Sequence, residues 1–295
     1  NVDVEAATNR GVIVMNTPFG NSITTAEHAI AMMFAVARQI PEASHSTHAG
    51  KWEKSRFMGV ELTGKTIGVI GAGNIGGIVC ERALGLRMKV IAYDPFLSDE
   101  LAAKLGVTKV ELDDLLVRSD FITLHVPLTD KTKNILSAEA LAKCKTGVRI
   151  INCARGGLID EVALATALTA GKVAGAALDV FAVEPATESP LFNMPNVVVT
   201  PHLGASTTEA QENVALQVAE QMSDYLLTGA VSNALNMPSV TAEEALVMGP
   251  WLQLAKHLGA FVGQMTDEPI KAINVLYDGT VSSMNLAALN CAAIV

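Results

Sequence analysis

Arg155, Glu184 and His202 stand far apart in a chain of 295 residues, yet their types suit acid–base chemistry on an anionic molecule. Arg155 follows an apolar run in 147-GVRIINCARGG-157, so a permanent cation ends a segment that reads as a buried strand. Its planar fork suits a carboxylate or a carbonyl oxygen. An arginine kept only for a surface ion pair needs no place at the end of such a strand. His202, in 201-PHLGAST-207, is the residue type that exchanges a proton near neutral pH. Glu184, in 179-DVFAVEP-185, would orient that ring and stabilise its charged form. A histidine in a loop says little alone. Its place after Arg155, Asp179 and Glu184 points to a site.

The elements that must position these groups run from Lys65 to Thr200. Strand candidates are 66-TIGVI-70, 88-MKVIAY-93, 121-FITLH-125, 148-VRIINC-153, 174-AGAALDV-180 and 197-VVVT-200. They are apolar nearly throughout, as strands covered on both faces are. Helical patterns lie between them at 74–86, 137–144 and 160–171, with Asn74 and Ser137 as opening residues and Gly171 as a stop. This alternation predicts an α/β fold, a doubly wound parallel sheet of the Rossmann type. Ligands bind beyond the carboxyl ends of such strands. Those ends carry Gly71, Asp94, His125-Val126-Pro127, Arg155, Asp179 and His202.

The first strand leads into 71-GAGNIG-76. Gly71 permits the tight turn, Gly73 lets backbone approach a pyrophosphate, and Gly76 lets helix and strand pack closely. The helix that opens there offers free N–H groups to phosphates. Asp94 closes the second strand, where a carboxylate accepts from the adenosine ribose and repels a 2′-phosphate, so NAD is favoured over NADP.

Composition narrows the classes. Net charge is −9, with no long basic block, which disfavours nucleic acid and anionic membranes as partners. The longest apolar run, 29-AIAMMFAVA-37, is far too short to span a bilayer. Cysteines 80, 144, 153 and 291 form neither a disulfide framework nor a zinc pattern, which suits a reducing cytoplasm. The pair in 45-HSTH-48 has no third ligand type nearby, so no metal is expected. Long helical patterns at 22–40 and 206–229 flank the sheet block, and 11-GVIVMN-16 reads as a lone strand before it. The segment 286-LAALNCAAIV-295 stops inside a helical pattern and Asn1 is not an initiator, so both ends read as cut. The expected organisation is a remnant of a substrate domain at 1–18, a dinucleotide-binding domain at 19–205, a connecting helix at 206–229 and the start of a further domain at 230–295.

The blocks 71-GAGNIG-76, 125-HVPLT-129, 152-NCARGGLID-160, 178-LDVFAVEP-185 and 201-PHLGAST-207 resemble the D-isomer-specific 2-hydroxyacid dehydrogenases, as does 1-NVDVEAATNRGVIVMNTPFGNS-22. NCARGGLID, ALDVFAVEP and PHLGAST are most similar to the branch that oxidises D-3-phosphoglycerate with NAD, opening serine biosynthesis. The tail 250-PWLQLAKHLGAFVGQM-265 resembles the extra domain of that branch's longer members. The resemblance implies that Arg155 grips the substrate carboxylate, that His202 exchanges the proton and that Glu184 supports His202. It implies that NAD is lined by Asn74, Ile75, Asp94 and Val126, by Cys153, Ala154 and Arg155, by Asp179, and by His202, Leu203, Gly204 and Ala205. Asp179 would meet the nicotinamide carboxamide, and Cys153 would serve packing. The implied partners are a phosphorylated 2-hydroxy acid and further copies of the chain, a dimer formed through the cofactor domain. The segment 50-GKWEKSRFMG-59 could be an arm over a neighbour or could pack internally. Alternatives are glyoxylate or hydroxypyruvate reduction by the same three residues, or a non-catalytic NAD-sensing corepressor.

Overall fold

A computed structural model describes residues 2–265 and 270–294. Asn1, residues 266–269 within the expected further domain, and Val295 at the end of the last helical pattern lie outside the described residues. The chain divides into two compact units, residues 21–210 and residues 1–20 with 211–295.

The 21–210 unit is built on seven strands: β1 Thr66–Ile70, β2 Lys89–Tyr93, β3 Thr108–Lys109, β4 Phe121–Leu124, β5 Val148–Asn152, β6 Val173–Leu178 and β7 Val197–Val199. All pair in parallel, in the order β3-β2-β1-β4-β5-β6-β7. The chain order reverses between β1 and β4, where adjacent loops diverge and leave a crevice. In chain order the helices are α1 Val4–Thr8, α2 Ser22–Arg38, α3 Ile40–His48, α4 Asn74–Gly85, α5 Asp99–Leu105, α6 Leu112–Arg118, α7 Ala138–Lys143, α8 Glu161–Thr169, α9 Thr208–Thr228, α10 Ala242–Gly263 and α11 Leu286–Ile294.

Successive strand residues feed two layers, as the two-residue pleat requires. Ile67, Val69, Ala92, Ile151 and Ala177 face a core that includes Ala29, Met33 and Val36 of α2 and Val79 and Ala83 of α4. Ile70, Ile91, Leu124, Ile150 and Leu178 face the other, with Leu115 of α6, Leu141 of α7 and Leu164 of α8. Each valine, leucine, isoleucine or methionine among them contributes about 1.5–3 kcal/mol on burial, and each alanine less. Ser98, Ser137 and Asp160 cap α5, α7 and α8 by accepting from the N–H three residues on.

Three local expectations differ from the structure. The helical pattern over 22–40 ends at Arg38, because Gln39 is left-handed (φ 53°) and Pro41 starts α3. A proline further inside one helix would remove an N–H and clash with the carbonyl four residues back. The strand expected over 11–16 is reduced to one bridge, Met15 to Ala234. Strand β3, only two residues long and exposed, is too short for its sequence to announce.

The other unit has its own small core, in which Val240, Ala245 and Met248 pack with Val281, Ala288 and Leu289. There α10 begins with a capping box, Thr241 and Glu244 each bonding the other's backbone N–H. Among the described residues no helix is long and apolar enough to cross a membrane.

Candidate active site

The glycine loop lies at the carboxyl end of β1. Gly71 has φ 92°, a conformation that glycine adopts without strain. A Cβ on Gly76 would fall on the Gly71 carbonyl, so only glycine lets α4 start this close to β1. Gly73 caps α4 without any side-chain hydrogen bond, and a Cβ there would meet nothing within 4 Å. The first turn of α4 therefore presents N–H groups to open space, as a pyrophosphate requires. Asp94 accepts from Ala72 N (2.9 Å) and Phe96 N (2.8 Å). These bonds tie β2 to the loop and use about two of the roughly four lone-pair sites of the carboxylate. The remaining sites can accept from a ribose diol, and these residues fit a dinucleotide.

At the end of β5 the buried Asn152 shapes the turn that presents Arg155. Its Oδ1 accepts from Ala154 N (3.1 Å) and its Nδ2 donates to Arg155 O (2.9 Å). The Arg155 side chain is exposed and donates to Ala154 O (2.6 Å). Among the described residues no carboxylate pairs with it, so an ion pair does not account for its position. Arg155, Cys153 and Ala154 line a cleft of about 220 Å³. Ile75, Val126 and Pro127 enter it from α4 and the β4 end, and His202, Gly204 and Ala205 from the turn after β7. Asn21 and Thr25, at the start of α2, complete it. Gly71, Gly73, Asn74, Gly76 and Asp94 lie outside this cleft, at the glycine loop.

His202 and Glu184 meet directly, with Nδ1 2.7 Å from Oε2. The other Glu184 oxygen accepts from Phe181 N (3.0 Å). Burial pushes the Glu184 carboxyl upward, but the bonds from His202 and Phe181 outweigh it and hold it below the usual range. An ionised Glu184 fixes the proton on Nδ1 and leaves Nε2 as the free nitrogen of the ring. His202 has φ 57°, and its N–H donates to Asp179 O (2.9 Å) and Thr200 O (3.0 Å).

Asp179 does not reach into the cleft. It is 0% exposed, and its carboxylate accepts from Thr200 Oγ1 (2.6 Å), Leu203 N (2.7 Å) and Gly204 N (2.8 Å). His28 Nε2 lies 3.2 Å from the same carboxylate. Burial raises the Asp179 pKa, but these four donors together bring it below the ordinary value. A buried carboxylate needs that many partners to stay charged. Leu203 turns outward and meets the site only through this N–H.

His125 occupies the rim between the glycine loop and Val126. Its Nε2 lies 2.8 Å from Thr123 Oγ1, while Nδ1 is buried without a partner. Burial pushes its pKa down to about 4, so the cleft holds a neutral imidazole. Burial, then the Asp179 charge, raise the Cys153 pKa, which keeps this thiol protonated and unreactive. Asn152 and His28 are not among the expected site residues, and His125 is expected only as a strand-end residue without a role. Each left one faint mark: a polar residue inside or bordering an apolar run.

Residues 30–204 match the NAD-binding domain of the D-isomer specific 2-hydroxyacid dehydrogenases. Residues 247–295 match the intervening domain of D-3-phosphoglycerate dehydrogenase. The chain is 50% identical over 282 residues to the D-3-phosphoglycerate dehydrogenase of Synechocystis sp., covering 96% of this chain and 51% of that protein. It is 45% identical over 294 residues to the Bacillus subtilis protein of the same name, covering 100% of this chain and 56% of that one. The chain thus spans about half the length of the curated relatives it matches. Among solved structures, a glyoxylate reductase from Paecilomyes thermophila superposes with a TM-score of 0.74 at 37% identity, covering 79% of this chain and 71% of that one. A D-lactate dehydrogenase from Aquifex aeolicus, complexed with NAD and lactic acid, gives 0.71 at 29% identity, with 81% and 77% covered.

Proposed function

The chain belongs to the D-isomer-specific 2-hydroxyacid dehydrogenase family, and on that premise we propose that it carries the cofactor half of an enzyme oxidising D-3-phosphoglycerate to 3-phosphohydroxypyruvate. That reaction opens serine biosynthesis. The observation that carries the reading is the Glu184–His202 pair standing at the cleft that Arg155 also lines. Likeness to the two D-3-phosphoglycerate dehydrogenases, and the match of the tail to their intervening domain, favour this substrate over glyoxylate or lactate.

Arg155 pairs with the substrate carboxylate and sets the C2 hydroxyl toward His202. Nε2 of His202 takes the hydroxyl proton, while Glu184 at Nδ1 stabilises the resulting imidazolium and keeps the ring from turning. NAD, when bound, would supply the acceptor for the C2 hydride. Asp94 and the first turn of α4 would hold its ribose and pyrophosphate. Val126, Cys153, Ala154, Gly204 and Ala205 line the cleft that would take the nicotinamide, and Asp179 acts there by shaping the turn that bears Gly204.

In this reading residues 19–205 are the cofactor domain, 1–18 belong to a substrate domain, 206–229 connect, and 230–295 begin a further domain. Copies of the chain associate through the cofactor domain. The exposed Trp52 (87%) and Met58 (81%) on the 50–59 arm support such an interface. The four free cysteines suit the cytoplasm.

The test follows NADH absorbance with D-3-phosphoglycerate, D-glycerate and D-lactate, on this chain and on a polypeptide extended to the length of its relatives. His202→Asn, which tolerates the left-handed backbone, is expected to abolish turnover and spare NAD binding. Preference for a non-phosphorylated acid would overturn the substrate. Near-normal turnover of His202→Asn would overturn the mechanism.

A further inference from the structure

Asp179 holds the 200–204 turn from two sides. Its main-chain carbonyl accepts from His202 N (2.9 Å), and its side chain accepts from Thr200 Oγ1, Leu203 N and Gly204 N. All of these donors belong to the turn itself. Asp179 is itself held to β5 by its N–H, which donates to Asn152 O (2.9 Å), and Thr200 N donates to Leu178 O (3.0 Å), so the sheet anchors one side of the turn and the side toward α2 is held separately. His28 is the donor from elsewhere: it sits on α2, and its Nε2 is 3.2 Å from Asp179 Oδ1 and 3.3 Å from Thr200 Oγ1.

The same face of α2 follows the turn at its neighbouring positions. Thr25, one helical turn before His28, is close enough that a Cβ on Gly204 would meet its Cγ2 at 3.4 Å and Asp179 Oδ2 at 3.2 Å. Met32, one turn after, places its sulfur 3.9 Å from Thr200 Oγ1. Residues three and four apart share a helix face, so Thr25, His28 and Met32 form one contact line. The two outer contacts are soft and weakly directional. His28 brings a ring nitrogen into hydrogen-bond geometry with Thr200 Oγ1 and within 3.2 Å of the ionised Asp179, and a bond to an ionised group is the stronger and more orienting kind.

We infer that His28 is a positioning residue: by donating from Nε2 to Asp179 it locks the 200–204 turn to α2 and so fixes where the His202 ring meets the cleft. The consequence is specific to this side chain. His202 has a left-handed backbone, a conformation that a residue with a Cβ keeps only when its surroundings hold it there. His28 is one of those surroundings, and it is not among the residues lining the cleft. The inference rests on the acid–base reading of His202 proposed above.

The test compares His28→Leu, which removes the donor at similar volume, with His28→Gln, which keeps an N–H donor. In the leucine protein the amides of Leu203 and Gly204 are expected to exchange about tenfold faster or more, the size of one hydrogen bond lost to an ionised group. The His202 ring ¹⁵N signals should shift, kcat should fall about tenfold and the KM for NAD should stay near its original value. Glutamine should restore all three. Unchanged exchange and ring signals in a folded leucine protein would overturn the inference, as would glutamine behaving like leucine. Should the leucine protein not fold, ring ¹⁵N–¹H spectra of the unsubstituted chain decide, since His28 must carry a proton on Nε2 and a ring protonated on Nδ1 alone would refute the bond. Lost turnover with no change at Leu203 and Gly204 would sink the inference and leave the dehydrogenase reading standing. Altered exchange in a chain that transfers no hydride to begin with would do the reverse.

Discussion

Gly156→Ala offers a severe test of how the site is assembled. Gly156 follows Arg155, and its backbone is not left-handed, so an alanine meets no conformational objection there. The objection is spatial. A Cβ on Gly156 would fall on the carbonyl of Phe181 and come within 2.8 Å of Ala182 N. Both obstacles are backbone, so no flexible side chain can swing aside, and the loop after β5 and the segment after β6 must part by about 1 Å or more. The Phe181 N–H holds one oxygen of Glu184, whose other oxygen holds His202. The wedge thus drives apart Arg155, which is to grip the carboxylate, and the pair that is to move the proton. A misplacement of about 1 Å at a reacting centre costs about a hundredfold in rate, which is roughly 2.7 kcal/mol at 1.36 kcal/mol per decade. Overpacking costs about 1–3 kcal/mol in stability, and the fold should survive with a lowered melting temperature.

The glycine loop and Asp94 belong to β1 and β2, away from the wedge, so NAD affinity should change little. Three measurements separate these effects: thermal unfolding, a fluorescence titration with NAD, and the NADH-coupled rate. A folded Gly156→Ala protein with near-unchanged turnover would show that the Arg155 loop and the Glu184 segment are not rigidly coupled, and the reasoning would fail. Loss of NAD binding in step with turnover would refute it in a different way, by showing that the damage spreads across the sheet.

Asp94→Ala should weaken NAD binding more than it weakens the fold; stability falls by about 1 kcal/mol for each backbone bond lost at Ala72 and Phe96, while titration with NAD shows the larger loss. Burial holds the thiols of Cys80 and Cys144 at about 12 and about 11, and raises that of Cys153 further; iodoacetamide at neutral pH should therefore label Cys291 alone, as peptide mass spectrometry will report. For pH, the signs follow from linkage. His125 is held at about 4 when folded, against roughly 6.5 unfolded, so the unfolded chain alone takes up a proton between those values. Stability is then lost as the pH falls across that window, and His125→Gln should flatten this part of the denaturation profile. Asp179 and Glu184 are held below their unfolded values, so their contribution is present above about pH 4 and disappears as the pH falls further. Asp179→Asn should remove the Asp179 share of that acid limb and leave the share of Glu184.

The sheet was legible because strands buried on both faces must be apolar throughout, and the six expected strands correspond to β1, β2 and β4 to β7 within a residue or two at each end. The rim was legible for a related reason: where an apolar run stops at Asp94, Arg155 or Asp179, the chain leaves the core, and a parallel sheet delivers all such exits to one side. What could not be read is which exits turn inward. Asp179 looked like a residue facing a ligand, and the same letter at the same strand end serves equally well as the buried anchor of a turn. The choice depends on donors supplied from positions 28, 200, 203 and 204, and no local pattern brings position 28 near the others. His28 itself sits in a helical run where polar Thr24, Thr25 and Glu27 give way to the apolar 29–37, and a core histidine and a site histidine both appear in that way before the helix is docked. Gly156 shows the same limit from the opposite side. As one of two adjacent glycines it reads as freedom to turn, whereas its reason in the structure is the carbonyl of Phe181, twenty-five residues further on. Chemistry carried by one side chain announces itself in sequence; chemistry that depends on what holds that side chain still is written in the packing between elements.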